Sequence, residues 1–195
     1  MSALDDEKRA LRASMKRMLS EMEGTQREAR SVRVCERLSA MDGFASSETV
    51  LMYAALASEV DLDPLMRLAL GRGVRVCVPR VDWDSRTMTA ALVSNLDEDL
   101  VMGRYGIRSP GAWCAEIPLT GLEMVLVPGL AFDRFGARLG RGAGFYDRLL
   151  DGGIECPTVG VCFADQIVER VPTEEHDCAM DRVVCEECEL RREHG

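Results

Sequence analysis

The chain has 195 residues, 47% of them hydrophobic and 29% charged, which fits one globular domain with a full core and excludes a disordered or fibrous protein. Its formal charge of -9 opposes nucleic acid and anionic membrane surfaces, so any site for an anionic small molecule must be locally basic. The N-terminus is charged from Asp5 and carries no apolar signal region, and no apolar run is long enough to span a bilayer. The eight cysteines then read as reduced thiols, and the expected location is cytoplasmic.

The elements follow in chain order. Residues 5–22 place Leu11, Met15, Met18, Leu19 and Met22 on a helical stripe, with Lys8, Arg9, Arg12, Lys16 and Arg17 between them. Gly24 ends that helix, and Thr25 with Glu28 forms a capping-box pattern that opens a second helix to about Met41. Thr49–Tyr53 is a short apolar run of strand type. Asp63-Pro64 marks a helix start, running through Leu70 to Gly71 and Gly73. Residues 74–78 alternate up to Pro79, and Met88–Val93, Met124–Val127 and Thr158–Cys162 are further strands. A helix containing Asp147 starts near Gly144. Strands interleaved with helices predict an α/β domain with a mostly parallel central sheet flanked by helices. Residues 1–185 are expected to form that single domain, and residues 186–195 a C-terminal tail.

The densest chemistry lies between Val127 and Asp147. Glycines at 140, 142 and 144 allow backbone N–H groups to converge on an anion, and the helix that follows adds its positive end. Arg138 and Arg141 supply guanidinium groups suited to phosphate oxygens. The spacing matches neither the Walker loop nor the dinucleotide fingerprint, and glycine loops of this kind also serve structure alone. Asp147 beside a polyphosphate implies a cation between them, and magnesium is the ion such a set accommodates.

The stretch Pro128-Gly-Leu-Ala-Phe-Asp133 followed by Gly136-x-Arg138-Leu-Gly-Arg-Gly-x-Gly-Phe-Tyr-Asp147 resembles the signature of the 5-formyltetrahydrofolate cyclo-ligase family. Further blocks resemble the family in order: Lys8 through Arg12, Tyr53 through Asp61, Gly103 through Pro110, and Phe163 through Asp181. The resemblance implies a sugar-isomerase or CoA-transferase type of sheet, ATP as co-substrate and Mg2+ as cofactor. It implies cyclisation of 5-formyltetrahydrofolate to 5,10-methenyltetrahydrofolate: the formyl oxygen takes the γ-phosphoryl group, N10 attacks the activated carbon, and phosphate leaves.

By that resemblance Arg138, Arg141 and Asp147 are catalytic. Lys8, Arg12, Arg138, Gly140, Arg141, Gly142, Gly144 and Tyr146 would bind ATP. Lys8 and Arg12, four apart, share a helix face, which unaided reads equally as a solvated basic surface. Glu59 would hold the donor edge of the pterin, with Tyr105 and Phe145 packing on the folate rings; each has a plain alternative, as a loop acid or a core aromatic. Asp147 and Asp181 would be the metal ligands. Ala143 stands where the family often has lysine or glycine, which implies weaker nucleotide affinity, and Phe145 replaces a frequent tyrosine. His176, Cys178, Cys185 and Cys188 resemble a zinc set in composition, although their spacing fits no common zinc module. The expected partners are reduced folate and ATP, without nucleic acid or membrane, in a monomer or weak homo-oligomer. The alternatives are a paralogue acting on another formylated or amide-like substrate, and a non-catalytic folate- or nucleotide-binding regulator.

Overall fold

The computed structural model describes residues 2–174 and 177–192; the side chain of Tyr105 lies outside the described residues, as does His176. Two helices open the chain, α1 (Ala3–Glu21) and α2 (Gly24–Ala40), followed by the short α3 (Asp42–Ser46). Next come β1 (Thr49–Leu51), α4 (Asp63–Gly71), β2 (Arg75–Asp82), β3 (Thr87–Val93), α5 (Leu96–Asp99), β4 (Leu100–Met102), β5 (Arg108–Pro110) and β6 (Glu116–Ile117). The remainder is β7 (Met124–Pro128), β8 (Ala131–Phe132), β9 (Arg138–Leu139), α6 (Phe145–Asp151), β10 (Thr158–Val161), β11 (Arg182–Val184) and β12 (Glu189–Arg191).

The central sheet runs β12-β11-β10-β7-β1-β2-β3-β6. Its five middle strands, β11 through β2, are parallel, and β3, β6 and β12 add antiparallel edges. Both faces are covered, which is why β1 and β7 read as unbroken apolar runs. Val50, Val76, Met124 and Val159 point to the layer of α1, α2 and α4. Leu51, Cys77, Val125 and Val127 point to the other face, under Leu149 and Leu150 of α6 and under Phe132.

Several local expectations shift for physical reasons. The capping box forms at Ser2 and Asp5, at the start of α1, and not at Thr25. Met22 and Glu23 turn the chain with extended backbone, so Gly24 begins α2 instead of ending α1. Strand β2 continues through Pro79 because β1 has already ended beside Cys77, and no neighbour on that side needs the missing N–H. Within residues 186–195, Glu189–Arg191 form β12, which pairs with β11 and closes one edge of the sheet.

Strand order also fixes where a ligand fits. From β1 the chain moves to β2 on one side and later returns to β7 on the other. The carboxyl ends of β1 and β7 therefore diverge and leave a crevice at this switch point.

Candidate active site

A cleft of about 940 Å³, including its open mouth, fills that crevice. Tyr53 and Ala54 after β1, Val78 and Pro79 of β2, and Pro128 and Gly129 after β7 form its floor. Trp83 and Phe145, edge to face with ring centroids 5.2 Å apart, stand on one wall.

The β8–β9 hairpin carries the glycine loop and is fixed by buried polar groups. Asp133 is 1% exposed and accepts N–H groups from Phe135, Ala137 and Val171 at 2.9, 3.0 and 2.9 Å. Gly136 adopts φ +80° with the Met180 carbonyl 2.2 Å from where a Cβ would sit, so no other residue fits there. Buried Gln166 donates to the Gly129 and Leu130 carbonyls at 2.8 and 3.1 Å, tying the cleft floor to β10. The sequence reading gave Asp133, Gly136 and Gln166 no role, although all three stand in the motif blocks.

Arg138 is buried, with its guanidinium donating to Asp147 Oδ1 and, at 3.3 Å, to the Pro128 carbonyl. It also lies 5.8 Å from the Tyr146 ring centroid. Its Nε is buried without a hydrogen-bond partner. A buried donor without a partner is costly, and the Nε atoms of Arg27 and Arg80, neither of which lines the cleft, share this feature. Asp147 is partly open to the cleft, at 31% side-chain exposure.

The second charge pair joins residues expected to serve different substrates. Arg141 Nε donates to Glu59 Oε1 at 2.9 Å, and its Nη2 to Ser58 Oγ at 2.9 Å. Glu59 is buried, and its Oε2 accepts the Leu56 N–H at 3.0 Å. The loop proposed for phosphate and the acid proposed for pterin thus meet in one cleft. Burial and the negative Glu59 push the Tyr146 hydroxyl far above the ordinary phenol range, so it stays protonated.

The basic face of α1 divides. Lys8 is buried and donates to Glu174 and Asp177 at 2.8 and 2.7 Å, whereas Arg9, Lys16 and Arg17 face solvent. Burial lowers the Lys8 pKa, but its two carboxylates outweigh that and raise it overall. Arg12 Nε donates to the Gly140 carbonyl at 3.0 Å, and its guanidinium approaches Gly142. Gly142 and Gly144 hold φ of +104° and +66°, and Gly144 caps α6.

Asp181, expected as a second metal ligand, lies away from the cleft. Its carboxylate accepts the Thr158 N–H and hydroxyl at 2.8 and 3.0 Å, at the start of β10. The cleft lies at the opposite, carboxyl end of these parallel strands, and Asp181 does not line it. The acid of that block nearer the loop is Asp177, whose neighbour Cys178 directs its Sγ to the Asp147 carbonyl at 3.9 Å. Sequence spacing alone does not choose between two acids four residues apart. Among the described residues no three His, Cys, Asp or Glu side chains converge on a metal position, and His176 of the zinc set lies outside them.

The family model for the 5-formyltetrahydrofolate cyclo-ligase family matches residues 5–186. A 5-formyltetrahydrofolate cyclo-ligase of Mycolicibacterium smegmatis is 35% identical over 143 residues, covering 71% of this chain and 74% of the relative. The mouse 5-formyltetrahydrofolate cyclo-ligase is 26% identical over 190 residues, covering 92% and 94%. The solved 5,10-methenyltetrahydrofolate synthetase of Aquifex aeolicus superposes with a TM-score of 0.85 at 30% identity, covering 96% of this chain and 94% of that one.

Proposed function

We propose, from the premise that the chain belongs to the 5-formyltetrahydrofolate cyclo-ligase family, that the cleft at the β1–β7 switch point carries its ring closure. The activity is that of a ligase in folate one-carbon metabolism, converting 5-formyltetrahydrofolate to 5,10-methenyltetrahydrofolate with ATP. The observation that supports this placement is the meeting of two arginine–carboxylate pairs, Arg138–Asp147 and Arg141–Glu59, around one cavity.

In this reading the buried Glu59 receives the donor edge of the pterin, and Trp83 and Phe145 flank the rings. Gly140, Gly142 and Gly144 let the polyphosphate approach backbone N–H groups, while Arg12 and Arg141 supply charge along the loop. Arg138, paired with Asp147 at the cleft, would answer the negative charge that grows on the oxygen bridging the transferred phosphoryl group. Held in place, the formyl oxygen and the γ-phosphorus need only alignment, and no side-chain nucleophile takes part. Tyr146 stays a neutral hydroxyl and positions rather than transfers a proton.

The donor set fits magnesium to the extent that Asp147 is a partly open carboxylate in the cleft, and this ion binds through one or two carboxylates plus phosphates. Asp147 would hold it, and the ion would neutralise phosphate charge; Asp177, held by Lys8, and Asp181 both lie outside the cleft lining. Among the described residues no helix is long and apolar enough to cross a membrane. We place the protein in the cytoplasm, acting as a monomer or weak homo-oligomer.

The test is methenyltetrahydrofolate absorbance with 5-formyltetrahydrofolate, ATP and magnesium. Product is expected only with both ATP and magnesium, with Asp147→Ala inactive and Asp181→Ala active. Folded protein that binds ATP yet makes no product would overturn the reading, and an inactive but stable Asp181→Ala would return that residue to the metal.

A further inference from the structure

Outside the cleft, Cys185 and Cys188 flank the two-residue turn Glu186-Glu187 that joins β11 to β12. Val184 pairs with Glu189, so the two cysteines are the next facing pair, and the Cys185 N–H donates to the Cys188 carbonyl at 2.9 Å. Facing residues of an antiparallel ladder share one side of the sheet with Cα atoms about 5.5 Å apart, inside the range a disulfide spans. Here the sulfurs stand 3.4 Å apart. They need to close only to about 2.0 Å to bond.

The surroundings differ between the two thiols. Cys185 is buried, and its Sγ accepts N–H groups from Glu187 and Cys188 at 3.4 and 3.3 Å. Cys188 is half-exposed. The turn between them is braced from outside: the Glu186 carboxylate binds Arg30 and the Ala164 N–H, and Arg37 donates to the Glu186 and Glu187 carbonyls. Bond formation therefore asks for side-chain rotation and leaves the hairpin in place. Neither cysteine lines the cleft.

We propose that Cys185 and Cys188 form a reversible dithiol–disulfide site whose co-substrate is a low-molecular-weight disulfide. The Cys188 thiolate attacks one sulfur of the small disulfide and releases one thiolate, leaving a mixed disulfide on Cys188. The Cys185 thiolate then attacks Cys188 Sγ and expels the second. Two electrons pass from the protein pair to the small disulfide, which leaves as two thiols carrying the two protons. A dithiol reductant reverses both steps. Burial and the neighbouring Cys185 raise the Cys188 pKa, so the first step accelerates as pH rises.

The test equilibrates the whole chain in glutathione buffers of graded oxidised-to-reduced ratio, followed by acid quench, alkylation and peptide mass analysis. The expected result is an internal disulfide on the peptide spanning 185–188, at ratios that leave half-exposed Cys156 and Cys178 alkylated. Cys185→Ser is expected to stop at a glutathione adduct on Cys188, and Cys188→Ser to leave Cys185 unmodified. Oxidation of Cys156 or Cys178 before the pair, or an adduct on wild-type Cys188 that never converts to the internal disulfide, would overturn the proposal. If either variant fails to fold, the wild-type order of oxidation decides alone.

Discussion

Arg30 and Arg138 are both buried arginines facing carboxylates, and they differ in how completely they are answered. Arg30, on α2, meets Glu186 and Asp165 and stacks 5.1 Å from the Phe163 ring centroid. Its main partner, Glu186, is itself 3% exposed and is further held by the Ala164 N–H. Arg138 meets one carboxylate that is 31% exposed and keeps a buried Nε without a partner, beside an open cleft. A satisfied buried network fixes a sheet edge to its helix layer; an under-satisfied one holds bonding capacity in reserve for a ligand. The same residue chemistry thus serves structure in one place and a site in the other.

That contrast can be broken by substitution, beginning with the largest expected effect. Arg30→Met leaves Glu186 buried without its cation, and unfolding free energy should fall by about 3–5 kcal/mol. Chemical denaturation measures this, while the ring-closure rate well below the new midpoint should stay near wild type. Arg138→Ala should do the reverse. The partly exposed Asp147 is rehydrated at small cost, but kcat should fall by roughly 10²–10³-fold. A variant that lost stability and kept kcat would dissolve the distinction drawn here.

Smaller changes sharpen it. Gly144→Ala forces a side chain into φ +66°, with its Cβ 2.9 Å from the movable end of Arg148. About 1–2 kcal/mol of stability should be lost, with KM for ATP raised more than KM for folate. Glu59→Gln keeps the shape and removes the charge that Arg141 answers. Because Arg141 is exposed, stability should change by less than about 1 kcal/mol, whereas KM for 5-formyltetrahydrofolate should rise on the order of tenfold. An unchanged folate KM would remove Glu59 from substrate recognition.

Much of the molecule was legible because it rests on local rules. The apolar runs at β1, β7 and β10 carry the mark of strands buried on both faces, and glycines at 140, 142 and 144 announced a loop with unusual backbone freedom. The stripe on α1 was readable, but not that Lys8 would turn inward while Arg9, Lys16 and Arg17 stayed in solvent. Lys8 is buried because Glu174 and Asp177 arrive from the far end of the chain. Glu189–Arg191 likewise has little strand character alone and becomes β12 because β11 offers an unpaired edge.

The sequence by itself determined the class of fold, the approximate place of its long elements and the residues that crowd the glycine loop, since periodicity and backbone freedom are properties of neighbours along the chain. Tertiary structure alone decided that Asp181 caps β10 while Asp177 lies nearer the loop. It alone decided that Arg141 answers Glu59 and that Arg138 is left with an open donor. Direction within a parallel sheet sends acids four residues apart toward different ends, and burial is a property of everything that packs around a side chain.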